Sequence, residues 1–417
     1  MGGQAPVSRR RLLLTLSAFF CSVRAHALQF PHLPHRRRPP VPTHLYNVYI
    51  GVDTQKGSGK GIYLSTFDTL TGHLTPPNLA AETVQPSFFA ISSVGGARRV
   101  LYAGNETSDS SSSVTSFLVD PASSSTPGAL HPIGKVSSGF PGPCYVSVDS
   151  TGHALFVADY AGSGIASYRI LPDGSLSDPV DRMDHKDHTR FGHPGPNHDR
   201  QDAPHPHCVT LSADNRFLVV CDLGNDQISI YSVDPATARL SASEPHLFSN
   251  NRPGSGPRHV AFHPNARWLY VINELESTVD HFLWTTTHAQ QSPQALLVLD
   301  GAPVKTTADN FPAAKNTAAE LAISANGFYL YASNRGEDSL VVFSIDQTTG
   351  VLKPIQRISC GGKTPRHFTL DPTGTWLLCG NQGSGTLAVF RCDPATGKLS
   401  GPVQSLPIDG PLYTLFA

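Results

Sequence analysis

The chain has 417 residues, room for two to four ordinary domains or one large repetitive one at roughly 100 to 200 residues per domain. Its 31 Lys and Arg nearly cancel its 32 Asp and Glu, so no net field favours a polyanion, which argues against nucleic acid or an anionic membrane as partner. The 36 Gly and 35 Pro stay below an unstructured composition, and two Met beside many Val, Thr, Tyr and Phe favour an all-β protein over a helical one.

Residues 1–27 read as an export signal peptide. Arg9, Arg10 and Arg11 supply the positive start, Leu12 to Val23 an apolar stretch too short to span a bilayer, and Ala25-His26-Ala27 a cleavage pattern. Ser8-Arg9-Arg10 with Leu12 and Leu13 also resembles a twin-arginine signal. Residues 28–43 form a Pro/Arg-rich linker, and the folded part, 44–417, begins at His44. If the signal is genuine the protein is periplasmic or extracellular; without it the protein is cytoplasmic.

The strands Tyr46 to Val52 and Gly61 to Asp68 come first, and then one phrase repeats: an apolar strand, a turn with Asp, Asn or Gly, and a second strand ending in a polar pair. Copies begin at Pro86, Pro143, Pro206, Pro257, Ala318 and Pro365. Third strands follow, such as Ile228 to Val233 and Leu340 to Ile345. The spacing is that of a four-stranded propeller blade. Six blades are direct; the N-terminal strands lack a first strand, and Pro411 to Phe416 is an orphan that supplies it. The expectation is one seven-bladed β-propeller closed by pairing the C-terminal strand with the N-terminal ones, leaving no open edge.

In such a blade the start of the first strand and the end of the second lie at one face. Equivalent positions therefore form two rings at one mouth. The first holds Ser87, Cys144, His207, Arg258, Ala319 and Arg366; the second holds Glu106, Tyr160, Leu223, Glu274, Arg335 and Gln382. Taken singly, such residues are ordinary strand-end polar groups. Taken together, three Arg, one His and two Glu suit a small anionic ligand held by guanidinium contacts beside an acid or base. Asp222 admits two readings, as the group fixing the His207 tautomer or as a turn residue.

The loop from His185 to His205 holds His185, His188, His193, His198 and His205. It lacks regular ligand spacing and reads as a flap over the mouth, with no metal expected; Thr306 to Asn316 reads as a second flap. No G-x-S-x-G elbow supports a serine hydrolase. Cys144, Cys208, Cys221, Cys360, Cys379 and Cys392 form no C-x-x-C pair and read as buried thiols, with a Cys208–Cys221 disulfide as the alternative to check. The sequon Asn105-Glu106-Thr107 reads as chance.

On Gly195-Pro196-Asn197 to Gln201, Pro204-His205-Pro206-His207, Gly256-Pro257-Arg258-His259, Asn273-Glu274-Leu275, Ser333-Asn334-Arg335-Gly336 and Thr364-Pro365-Arg366, the chain resembles the lactonase family of seven-bladed propellers. That family includes one type of 6-phosphogluconolactonase and the fungal 3-carboxy-cis,cis-muconate lactonizing enzyme. The resemblance implies that His207, Arg258, Glu274 and Arg335 are catalytic, with Arg366, Gln382, Glu106, His205 and Tyr160 around the substrate and no cofactor or metal. Gly51-Val52-Asp53 and Asp159-Tyr160 depart from the family's usual residues. Three functions follow: hydrolysis of a sugar-acid lactone such as 6-phosphogluconolactone, lactone formation from a carboxylated muconate, or a non-catalytic exported binding propeller. A monomer or weak dimer is expected.

Overall fold

The computed structural model describes residues 44–96, 98–248, 252–287 and 294–417. The expected signal peptide and linker, residues 1–43, lie outside the described residues. The described chain forms seven antiparallel sheets arranged as blades. Blade one is built from Pro411–Phe416, Leu45–Val52, Gly61–Asp68 and short outer strands. Blades two to seven open with the inner strands Pro86–Val94, Pro143–Val148, Pro206–Leu211, Pro257–Phe262, Thr317–Ile323 and Pro365–Leu370. The sixth thus starts one residue before its expected position. The closure is as expected: Val48 pairs with Phe416 and Val52 with Pro411, so both chain ends of the fold share one sheet.

The near-continuous apolar runs of the second strands, buried along their whole length, give each blade two apolar faces, which sheet-on-sheet packing must cover. Seven buried clusters do so, one for each pair of neighbouring blades. Between blades seven and one, Trp376 packs edge-on against Phe67 and its Nε1–H donates to Thr69 O at 2.8 Å. All six described cysteines lie in this buried material as free thiols. Cys208 does face Cys221 in the hairpin register, but no disulfide joins them.

Two features of each blade prepare the mouth. At the end of the second strand stand Asn105, Asp159, Asp222, Asn273 and Asn381 in blades two to five and seven, with Asn334 one residue before the end in blade six, and all six are buried. Their short polar side chains tie the surrounding turns: Asn334 Nδ2 donates to Thr306 O and Ser339 Oγ, and Asn381 Nδ2 to Cys360 O. This use of Asn105, whose amide donates to Thr83 Oγ1 and Val84 O, leaves the sequon buried. The second feature is an irregularity near the start of every inner strand, where the register skips Ser87, Cys144, His207, Arg258, Ala319 with Glu320, Arg366 and Leu412. A bulge re-aims the side chain that it leaves unpaired.

Candidate active site

The bulged residues form the first ring, and the residues one step beyond the Asx positions form the second. At the centre is Glu274, 1% exposed. Its Oε1 accepts from Arg200 Nη2 at 2.5 Å; its Oε2 faces Arg335 Nη2 at 2.7 Å and Arg258 Nε at 3.1 Å. Arg258 Nη1 also donates to Ala319 O and Arg335 Nη2 to Ala318 O, which anchors both guanidiniums to the inner strand of blade six. Burial alone would raise the Glu274 pKa, but Arg335, Arg200 and Arg258 together hold it well below the ordinary carboxylate range. Burial, reinforced by the nearby Arg335, brings Arg258 down to about 10. The result is a fixed anion inside a cage of cations.

His207 is buried beside this cage, and its Nδ1 has no hydrogen-bond partner. Burial first, then Arg258 and His259, hold its pKa well below the usual imidazole value, so the ring is neutral at pH 7. Tyr160 stands edge-on to it at 5.5 Å and stacks on His205 at 4.2 Å. Arg366 Nη2 reaches Glu106 Oε2 at 3.4 Å across the mouth. Gln382 lines an adjoining groove with Lys56, Thr364 and Asp409. The structure therefore gathers His207, Arg258, Glu274, Arg335 and Tyr160 tightly, sets Arg366 and Glu106 as an outer pair, and places Gln382 to one side.

The His-rich loop is a flap, and it contributes a residue that sequence reasoning missed. Arg200 crosses the mouth to Glu274 and lies 3.4 Å from the Tyr160 hydroxyl. The loop can approach because position 224 is glycine: a Cβ there would meet Ala203 O at 1.9 Å, and Gly195 N–H donates to Gly224 O at 2.8 Å. Several of its histidines hold it in place. His205 Nδ1 meets Tyr160 O and Nε2 meets Asp202, while His188 meets Gly192 O and stacks on His193. The second flap is pinned at both ends, by Thr306 Oγ1 and Asn316 Nδ2 to Asn334 Oδ1. Among the described residues, no group of three or more His, Cys, Asp or Glu is placed to hold a metal.

Asp222 follows the second of its two readings. It does not touch His207: it pairs with Pro206, accepts from the backbone N–H of His205, Gly224 and Asn225, and meets His185 Nδ1 at 2.8 Å. The bulge at His207 shifts the register by one residue, so Asp222 is the turn residue of its blade and the tautomer role fails.

Below the first ring, the next residue of each inner strand forms a deeper layer that sequence reasoning also passed over. Phe88, Tyr145 and Tyr413 pack face to face at 3.9 Å, His367 lies 4.0 Å from Tyr413, and His259 stands edge-on to Tyr145 at 5.1 Å. Glu320 sits among them, bonded to His259 Nδ1 at 3.1 Å and facing His367 Nε2 at 3.5 Å. The signal was present: Arg258-His259 and Arg366-His367 repeat one pattern at two equivalent strands.

A family model described as "Lactonase, 7-bladed beta-propeller" matches residues 47–416. The protein belongs to this family. The lactonase propeller is 31% identical over 327 residues to the 6-phosphogluconolactonase of Bacillus subtilis, covering 78% of this chain and 85% of that protein. It is 30% identical to the 6-phosphogluconolactonase of Formosa agariphila, covering 78% and 86%. The solved structure of a periplasmic gluconolactonase from Pseudomonas aeruginosa superposes with a TM-score of 0.77 at 32% identity, covering 89% of this chain and 99% of that one. Named relatives of this kind place this lactonase propeller among the carboxylic-ester hydrolases.

Proposed function

We propose that the protein hydrolyses a sugar-acid lactone, 6-phosphogluconolactone foremost, in the axial mouth. The observation that carries this is Glu274 locked among Arg200, Arg258 and Arg335 beside a neutral, buried His207. A lactone carbonyl gains negative charge on oxygen as water adds to its carbon, and preorganised guanidiniums in a dry site stabilise that charge. Arg258 and Arg335 are held in place by backbone carbonyls for this purpose. His207 is the general base: it takes a proton from the attacking water and returns it to the ring oxygen when the C–O bond breaks, which leaves a free hydroxyl and a carboxylic acid that ionises to carboxylate and releases its proton to solvent. Glu274 is too stabilised as an anion to be an effective base; it organises the cations. Arg366 and Arg200, more exposed, meet the phosphate, with Tyr160, His205, Glu106 and Gln382 around the sugar.

A second reading is an unphosphorylated gluconolactone. It is favoured by the periplasmic gluconolactonase among the relatives together with the N-terminal segment, since phosphorylated sugars are expected inside cells. On this reading the protein is exported.

The experiment is proton release from 6-phosphogluconolactone and from gluconolactone, corrected for spontaneous opening. Saturable turnover that falls about 100- to 1,000-fold in Arg335→Ala supports the proposal, and the ratio of kcat/KM for the two lactones decides between the readings. No turnover of either lactone by folded protein rejects both.

A further inference from the structure

The deeper layer has a polar unit that the hydrolysis described above does not use. Glu320, His259 and His367 are 8%, 3% and 8% exposed. Thr414 N–H donates to His367 Nδ1 at 3.2 Å, so this neutral ring carries its proton on Nε2, the atom that faces Glu320 Oε2. Leu321 N–H donates to Glu320 Oε1 at 3.0 Å, and the same oxygen meets His259 Nδ1. Three donors converge on one carboxylate. With its Nδ1 proton given to Glu320, His259 keeps a bare Nε2 that is buried without a partner, and its ring lies 5.1 Å from that of His207, whose Nδ1 is also buried without a partner.

We propose that Glu320 is a positioning residue for this reaction: it fixes His259 as the Nδ1–H tautomer and so keeps a lone pair, not a proton, beside His207. The inference rests on the lactonase reading for its kinetic consequence only. The competition that makes Glu320 necessary is visible. Arg258 Nη1, a donor with no acceptor capacity, lies 3.3 Å from the same His259 Nδ1. Without the carboxylate, Arg258 would occupy Nδ1, and the His259 proton would move to Nε2. A proton there would oppose the imidazolium that His207 becomes during turnover.

The charge around Glu320 fits this role. It faces Arg258 and His259 from blade five and Arg366 and His367 from blade seven, while Tyr145, Cys208 and Tyr413 close its other sides. Burial raises its pKa, and His367, Arg258, the Leu321 amide and Arg366 oppose that rise. Its charge in turn favours protonation of the imidazoles near it, so removing it moves the acidic limb of the kcat/KM profile to lower pH.

The test combines histidine 15N NMR of the full protein, with His259 assigned by a His259→Gln variant, and kinetics of Glu320→Leu and Glu320→Gln. The expected result is a protonated Nδ1 and bare Nε2 on His259 in the native protein. In Glu320→Leu the proton moves to Nε2, kcat falls about tenfold or more at little-changed KM, and the acidic limb shifts downward. Glu320→Gln, which keeps a neutral acceptor, falls between. A native His259 protonated on Nε2 overturns the proposal, as does a folded Glu320→Leu with kcat and profile within about twofold of native. If the leucine variant does not fold, the native tautomer and the Gln variant decide: a Gln variant identical to native in kcat and profile overturns it. A native protein that turns over no lactone refutes the lactonase reading instead, while the tautomer measurement still judges Glu320.

Discussion

At the bulged positions blades four, five and seven place His207, Arg258 and Arg366 on the axis and blade six places Ala319 with Glu320, whereas blades one to three place Leu412, Ser87 and Cys144 there. The bulge, the buried strand-end residue and the blade-to-blade core are shared by both halves. The charge cluster sits in one, and Glu106 and Tyr160 face it from the other. The fold supplies seven equivalent, re-aimed positions around an axis, and the reaction site is made by filling three of them with His207, Arg258 and Arg366, adding Glu320 one residue deeper in blade six, and leaving Leu412, Ser87, Cys144 and Ala319 apolar or small at the other four. The quiet half keeps the dielectric low and water out, which strengthens every charge interaction opposite it. Fold alone therefore says little about function.

The largest expected effect comes from removing the anion on which the charged half depends. Glu274→Ala leaves three guanidiniums packed together, Arg258 deeply buried and Arg335 mostly so, and breaking one side of a buried pair costs about 3–5 kcal/mol. Chemical denaturation should show that loss with an unchanged slope, and lactone turnover should vanish with it. Glu274→Gln should retain more stability but still disperse the arginines. A Glu274→Ala protein as stable as native would mean that the cage is an assembly of surface ion pairs, and the contrast between halves would collapse.

Next in size is the response to pH. Burial holds His207 and His259 well below the ordinary imidazole value and His367 at about 4. In the unfolded chain they titrate near 6.5. Below that pH the unfolded chain binds protons that the folded one excludes, so stability is full above about 6.5 and declines as pH falls. For His367 alone, a drop from 6.5 to about 4 corresponds to roughly 3 kcal/mol by pH 4. Thermal unfolding followed from pH 7.5 to pH 4 should show the decline, and His367→Gln should flatten it. Glu274, whose folded pKa is depressed, acts in the lower window: its contribution is present above the unfolded carboxylate pKa and is lost only in stronger acid.

Arg200 tests how far the charged half depends on a loop. It is the most exposed of the Glu274 partners, with 36% of its side chain accessible, and solvent screens it. Arg200→Ala should cost about tenfold in kcat/KM, chiefly through KM, with little change in stability. A loss as large as that of Arg335→Ala would promote the loop to a full member of the site.

What could be read from the sequence follows the repeat. Blade number, ring closure and the residues His207, Arg258, Glu274 and Arg335 were legible because equivalent positions in a periodic chain must fall on a circle. Arg200 was not, because it sits in an aperiodic loop whose path depends on the missing Cβ of Gly224. Glu320 was passed over with the rest of the deeper layer, because the first ring falls one residue earlier on each inner strand, at Ala319 in blade six. The two readings of Asp222 could not be separated in sequence because a bulge displaces His207 from the partner a regular hairpin would give it. Strand period is visible in sequence, whereas bulges and loop paths depend on contacts from elsewhere in the ring.

The smallest expected effect sharpens the comparison most. Ser87 holds the position in blade two that Arg258 holds in blade five, and its hydroxyl donates only to Pro143 O, at 3.3 Å. Ser87→Ala removes a long hydrogen bond between inner strands and no charge. Stability should change by less than about 1 kcal/mol, and kcat/KM for the lactone by less than about twofold, measured beside Arg258→Ala in one preparation. The two variants differ only in which blade loses its bulged side chain. A large kinetic loss in Ser87→Ala would mean that the substrate reaches down to the inner strand of blade two, beyond the Glu106 and Tyr160 rim, and that this side of the ring reads the substrate as well as shielding it.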